Sequence, residues 1–203
     1  MSTFKTLSPI DNSIVCERHY ASANEIATTV ANAHKAQQAW RHSSIEERIT
    51  LCEQVVNYFE NNKQVIAAEI CSQVGRPVEQ AKGEIDGLAE RARYMMRIAD
   101  EALQTHYLPA KKGFERFISR EPYGIVLVLA PWNYPYLTAV NTIIPAIMAG
   151  NTVILKHSSQ TALCAERFAA AFAAADCAAG IFSFLHLDHS QCTALIQNPA
   201  IDF

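Results

Sequence analysis

Gly124 is followed by Ile125-Val126-Leu127-Val128-Leu129-Ala130, an unbroken run of β-branched, leucine and alanine side chains. A strand with one face in water alternates polar with apolar. A strand with no polar position must be covered on both faces, as in a parallel sheet with helices above and below. The following residues keep to that plan. A helix over roughly 137–149 is closed by Gly150-Asn151, and a strand follows at Val153-Ile154-Leu155. An Ala-rich helix over roughly 161–175 leads to a strand at 181–185, then to a short helix near 190–197 ended by Asn198-Pro199. Ile201-Asp202-Phe203 reads as the beginning of another strand. The order β-α-β-α-β-α-β predicts the α/β class, with an incomplete doubly wound parallel sheet over 124–203.

Residues 1–112 read as mainly helical. Ser22 with Glu25, and Ser44 with Glu47, fit capping boxes, in which the hydroxyl takes one free backbone N–H and the carboxylate reaches back to another. Ile26, Val30, Ala33 and Trp40 line one face of the first helix, and Ile45, Ile49, Cys52, Val56 and Phe59 line one face of the second. A third helix with Val65, Ile66 and Ile70 stops at Gly75-Arg76-Pro77, where glycine suits a left-handed cap and proline can begin the next helix. The fourth is long, with Ile85, Leu88, Ala92, Met95, Met96, Ala99 and Leu103 as core positions. Between it and the sheet, Phe114, Phe117 and Ile118 predict a strand within 113–123.

Half of the 203 residues are hydrophobic, ample for a packed core, so a disordered tail is excluded. A net charge of −3 without blocks of like sign argues against nucleic acid as partner. No apolar run approaches the ~18 residues that a membrane span needs, and the start MSTFKTLSPI lacks a signal-peptide core, so a cytoplasmic protein is expected. The six cysteines form no C-x-x-C pair and are expected to be mostly small buried hydrophobes rather than disulfides. His186, Asp188 and His189 share one loop, and are read as solvated polar residues in preference to a zinc site, so no metal is expected.

Ligands of open α/β sheets bind beyond the carboxyl ends of the strands. Two loops are expected there: Pro131-Trp132-Asn133-Tyr134-Pro135, and Lys156-His157-Ser158-Ser159-Gln160. The first can be read as a rigid turn with Trp132 packed and Asn133 satisfying backbone, and Lys156 as a solvated strand-end charge. Together, a neutral amide donor and a cation near a helix N-terminus suit a phosphorylated ligand and a developing oxyanion.

These residues carry a resemblance. The stretch from Glu121-Pro122-Tyr123-Gly124 through PWNYP, on to Ala149-Gly150-Asn151-Thr152-Val153-Ile154-Leu155-Lys156 and Gln160-Thr161, is similar to the aldehyde dehydrogenase superfamily, and most similar to its succinate-semialdehyde and medium-chain branch. The likeness extends upstream through Trp40 and Gly75-Arg76-Pro77, and downstream to Pro199-Ala200-Ile201-Asp202-Phe203. It implies a Rossmann-like cofactor domain, of which this chain is the N-terminal portion, and the family's NAD(P)-dependent oxidation of an aldehyde to a carboxylic acid. That reaction proceeds by thiohemiacetal formation, hydride transfer to the nicotinamide and hydrolysis of a thioester. At matched positions the resemblance implies that Asn133 donates its side-chain N–H to the oxyanion. It implies that Lys156 bonds the adenosine ribose of NAD or NADP, and that Ala130, Pro131, Trp132 and Asn133 line the nicotinamide side of the cleft. Helix residues around Thr138, Asn141 and Thr142 would build part of the substrate funnel. The strand at 113–123 would belong to an arm that pairs subunits, making the protein a homo-oligomer.

Two departures matter. NAD-preferring relatives often carry Glu three residues after the lysine, where this chain has Ser159. A carboxylate repels a 2′-phosphate and a hydroxyl can donate to it, so the site is expected to tolerate NADP. The second departure is length. The family's glycine-rich cofactor loop, glutamate base and cysteine nucleophile lie beyond the position of Phe203, and no cysteine here stands in the nucleophile's context. The chain alone is therefore expected to oxidise no aldehyde, to bind the cofactor weakly or not at all, and to self-associate through uncovered apolar faces. The alternatives are a non-catalytic remnant that assembles through its open sheet edge, and a simple nucleotide-binding module.

Overall fold

A computed structural model describes residues 2–203. It opens on an antiparallel hairpin, Thr3–Leu7 (β1) with Ile14–His19 (β2), where sequence reading expects a mainly helical region. Four helices follow: Ala23–Trp40 (α1), Ile45–Asn61 (α2), Lys63–Val74 (α3) and Val78–Leu103 (α4). Both expected capping boxes close. The Glu25 N–H donates to Ser22 Oγ at 3.2 Å and the Ser22 N–H to Glu25 Oε2 at 2.7 Å. Ser44 and Glu47 repeat the exchange at 3.1 and 2.7 Å. Gly75 takes the left-handed conformation expected of it, φ 71°, and ends α3.

His106–Tyr107 (β3) and Phe117–Ile118 (β4) then form a two-residue antiparallel ribbon, all four residues exposed. The strand expected across 113–123 is thus much shorter. All four residues face solvent, and the ribbon is held by its backbone bonds and by the Tyr107 and Phe117 rings, 5.8 Å apart.

The sheet is parallel: Ile125–Ala130 (β5), Thr152–His157 (β6) and Phe182–Phe184 (β7), in the order β5-β6-β7. Pro135–Met148 (α5), Ala162–Ala174 (α6) and His189–Ile196 (α7) connect the strands and follow the last. The 202–203 backbone lies on the free side of β5, with the Leu127 N–H donating to the Phe203 carbonyl (2.8 Å) and the Asp202 N–H to that of Ile125 (3.0 Å). After moving one way through β6 and β7, the chain crosses back past β5. The sheet's topological switch point is therefore at β5.

Alternation along the strands sorts side chains to two faces. Val126, Val128, Ala130, Val153 and Leu155 enter the main core with α2, α4, α5 and α6. Ile125, Leu127 and Ile154 pack under α1 and the α7 region with Val30, Ala33, Leu187 and Leu195. Cover on both faces is what the wholly apolar β5 demands.

Arg48 of α2 joins the helix ends. Its guanidinium donates to the carbonyls of Trp40 (3.2 Å) and Arg41 (3.0 Å) at the end of α1, to Met148 at the end of α5 (2.9 Å), and to Ser43 Oγ (2.9 Å). Neither α1 nor α5 carries a basic residue in its last turn, so Arg48 supplies the positive charge that helix C-termini favour. The hairpin docks through Arg18, whose guanidinium meets Glu166 of α6 at 2.6 and 2.9 Å. His186, edge-on to Phe4 and Phe184, meets the same carboxylate at 3.2 Å. Burial alone would raise the Glu166 pKa, but the hydrogen bonds from His186 and Arg18 more than reverse this and hold it at about 2. The 186–189 loop is therefore not the solvated stretch that the sequence suggests. His186 is packed, and Asp188 caps α7 in a third box with Gln191.

Candidate cofactor rim and oxyanion site

The two loops leave the same carboxyl edge of the sheet from adjacent strands, as expected. Register pairs Leu129 with Lys156 and Ala130 with His157, and the Ser158 N–H extends the ladder by donating to the Ala130 carbonyl at 3.0 Å. Leu129 and Lys156 continue the face that α1 covers lower down, yet Leu129 is 49% exposed. The end of that face is an open apolar shelf with a lysine beside it. Ser159 is exposed, and its carbonyl accepts from the Thr6 hydroxyl at 2.6 Å, so the β1 hairpin pins this loop. Gln160 adds a bond from its side-chain amide to the Leu7 carbonyl at 3.1 Å.

Asn133 sits between Pro131 and Pro135, which restrict the loop backbone. Its Oδ1 accepts the Tyr134 N–H at 3.1 Å, which fixes the orientation of the amide. The Nδ2 donors are left without a partner among the described residues, on an exposed side chain. Trp132 is 56% exposed and not packed as a turn anchor. Along α5, Thr138 and Asn141 are exposed and Thr142 half-buried, so Tyr134, Thr138 and Asn141 form an open stripe at helical spacing. A cavity of about 630 Å³ lies between the 119–123 segment, α5 and Phe203, and takes in Asn141 and Thr142. A second, about 460 Å³, brings Trp132 and Gln160 together against the hairpin turn. Asn133 and Lys156 share a rim without bonding one another.

His157 links the two loops, a role the sequence did not suggest. Its Nδ1 accepts the Ser158 N–H (3.0 Å), so the proton is on Nε2, which donates to the Pro135 carbonyl at 3.1 Å. Burial is the largest influence on this ring and lowers its pKa to about 4. Neutral at pH 7, it ties the end of β6 to the start of α5.

Arg76 and Glu84 were also missed. Glu84 projects from α4 beside Ala81 and Ile85, in the apolar stripe, and its side chain is 1% exposed. Its Oε1 accepts the Tyr136 N–H (2.9 Å) and the Leu137 N–H (3.2 Å), the first-turn donors of α5, which has no cap of its own. Its Oε2 is held by Arg76 Nη1, while Arg76 Nη2 donates to the Asn133 carbonyl and the guanidinium stacks 4.6 Å from the Tyr134 ring centroid. A carboxylate within the helical core stripe was the available signal.

Cys16, Cys52 and Cys164 are buried, and burial pushes the Cys52 thiol up to about 12, the Cys177 thiol up to about 11 and the Cys164 thiol up as well. Among the described residues no group of three or more His, Cys, Asp or Glu is arranged to hold a metal ion, and no helix is long and apolar enough to cross a membrane.

A three-stranded parallel sheet wrapped by helices, with a polar rim at its switch point, defines a doubly wound α/β unit. The chain belongs to the aldehyde dehydrogenase family, whose profile matches residues 1–203. An aldehyde dehydrogenase of Davidiella tassiana is 33% identical over 162 residues, 79% of this chain and 32% of its own length. A D-glyceraldehyde dehydrogenase (NADP(+)) of Thermoplasma acidophilum is 28% identical over 184 residues, 90% of this chain and 37% of its own. The crystal structure of succinic semialdehyde dehydrogenase from Streptococcus pyogenes, in complex with NADP+, superposes with a TM-score of 0.91 at 26% identity over 98% of this chain and 44% of that one. The chain thus spans about a third of the length of these two curated relatives.

Proposed function

We propose that residues 1–203 are the N-terminal part of the cofactor-binding domain of an NAD(P)-dependent aldehyde dehydrogenase that oxidises a small aldehyde to its acid. The observation that carries this reading is Asn133, held by its Oδ1 with both Nδ2 donors free at the switch-point end of β5. A carbonyl oxygen that gains negative charge as a nucleophile adds to the aldehyde needs such a donor, fixed before the reaction and unable to lose its proton. A bound nicotinamide dinucleotide would supply the hydride acceptor. The residues present fit it: Lys156, in register with the half-exposed Leu129, and the exposed Ser159 hydroxyl would serve as donors for a ribose and its phosphate, with Ala130 to Trp132 as the adjoining wall.

The printed cofactor of the Thermoplasma relative and of the Streptococcus structure supports NADP, as does Ser159 in place of a carboxylate. The exposed aromatic ribbon with Tyr107 and Phe117, and Phe114 beside it, supports a subunit-pairing arm and a homo-oligomer. The nucleophile and base belong to the family's remaining sequence, so residues 1–203 by themselves are inactive and bind the cofactor weakly. A cytoplasmic location completes the reading.

The test is titration of NAD and NADP against the full-length protein, wild type and Ser159→Glu. The wild type is expected to use NADP, and the glutamate to weaken NADP about tenfold or more through charge repulsion. A wild type confined to NAD, or a Ser159→Glu variant with unchanged NADP affinity, refutes the cofactor assignment.

A further inference from the structure

Asn133 serves an oxyanion only if its backbone is held still, and two prolines do not hold it against translation. Arg76 itself is built to be rigid. Gly75 before it turns left-handed at φ 71°, and Pro77 after it opens α4. From that elbow the guanidinium does three things at once: it pairs with Glu84, donates to the Asn133 carbonyl, and lies over the Tyr134 ring. Glu84 in turn occupies the free N–H groups at the start of α5. The two ends of the segment from Asn133 to Leu137 are thereby clamped by one ion pair whose partners come from outside the sheet.

We infer that Arg76 and Glu84 are positioning residues for the oxyanion donor, fixing the Asn133 backbone and the first turn of α5 in one register. This rests on the reading of Asn133 given above. The carboxylate also keeps the α5 N-terminus from acting as a competing anion site. Its two donors already have an acceptor, so they do not compete with the Asn133 amide for an anion. Burial raises the Glu84 pKa, opposed by the Leu137 and Tyr136 N–H groups and by Arg76, so the guanidinium also preserves the charge on which the clamp depends.

The experiment uses the full-length enzyme with Arg76→Gln, Arg76→Lys, Asn133→Ala and the double variant Arg76→Gln/Asn133→Ala. Melting curves are recorded for each. Arg76 is varied in place of Glu84 because a substitution of that buried carboxylate risks the fold. Losing an oxyanion donor costs about 10²–10³ in kcat, and a displacement of about 1 Å costs up to about 10². Arg76→Gln is therefore expected to lose kcat by roughly 10–10² with the cofactor KM unchanged. Arg76→Lys, which keeps the charge and loses the fork, should fall between it and wild type. In the Asn133→Ala background the Arg76→Gln change should have little further effect on kcat, within the roughly twofold of independent sites. A full multiplicative loss in that background, or an unchanged kcat in Arg76→Gln, overturns the positioning role. An unchanged kcat in Asn133→Ala overturns the parent reading instead, so the two failures are distinguishable.

Discussion

Replacing Arg48 by Met keeps a long apolar stem and deletes the guanidinium. Four hydrogen bonds disappear, three of them to carbonyls at the ends of α1 and α5 that no other basic side chain reaches from within those helices. A hydrogen bond to a charged group contributes about 1.5–3 kcal/mol, and a buried acceptor left unpaired costs about 1–3 kcal/mol. Part of this is offset, because the wild type bears the cost of a desolvated guanidinium, whose pKa burial lowers. The net expectation is a loss of about 3 kcal/mol, or roughly 6–12 °C in Tm at about 2–4 °C per kcal/mol for a chain of this size. Arg48→Lys should lose about half as much, since an ammonium cannot span the same acceptors. Urea unfolding followed by tryptophan fluorescence suits the purpose, because Trp40 lies 5.9 Å from the guanidinium carbon. An Arg48→Met variant as stable as wild type, or more stable, would refute the reasoning and place this arginine among buried charges that hydrophobic residues replace without loss.

Two further predictions concern acid. His157 has its pKa lowered to about 4, so the unfolded chain binds a proton that the native one refuses; stability present above pH 6.5 should fall between pH 6.5 and 4, by about 3 kcal/mol. His157→Gln should flatten that part of a stability–pH curve, and an unchanged slope would contradict the buried neutral imidazole. Glu166, held at about 2, contributes stability above pH 4.5 that is lost as pH falls towards 2, roughly 1–3 kcal/mol for a partly exposed pair. Urea midpoints of Glu166→Gln across pH 2–6 should show that lower window gone, and persistence of the acid loss would remove this group from the account.

The sequence disclosed what periodicity and caps encode. The apolar run of β5, the Ser22 and Ser44 boxes and the left-handed Gly75 all stand where local rules put them, as do both loops at the carboxyl rim. What stayed hidden depends on partners far along the chain. β1 and β2 are short, and positions such as Thr6 and Arg18 are secured by Ser159 and Glu166 far along the chain, so no local pattern announces them. Arg76 read as part of a turn because its partners are a carboxylate eight residues on and a carbonyl on another loop. His157 read as one polar residue among several because its tautomer is set by Ser158 and its acceptor by Pro135. The strand at 113–123 was overestimated because propensity cannot tell whether a ribbon has anything to pack on.

The docking of the hairpin has a consequence for how the chain is made. Residues 3–19 leave the ribosome well ahead of Ser159, Glu166 and His186, which receive them and are synthesised some 150 or more residues later. At about 5–20 residues per second, the hairpin segment must wait roughly 10–30 s before its landing site exists. During that interval the tilted rings of Phe4 and Tyr20, 4.9 Å apart, supply an aromatic contact that the nascent ribbon can make for itself. A bulky fusion ahead of residue 3 would therefore tax the last step of folding and leave the early helices untouched.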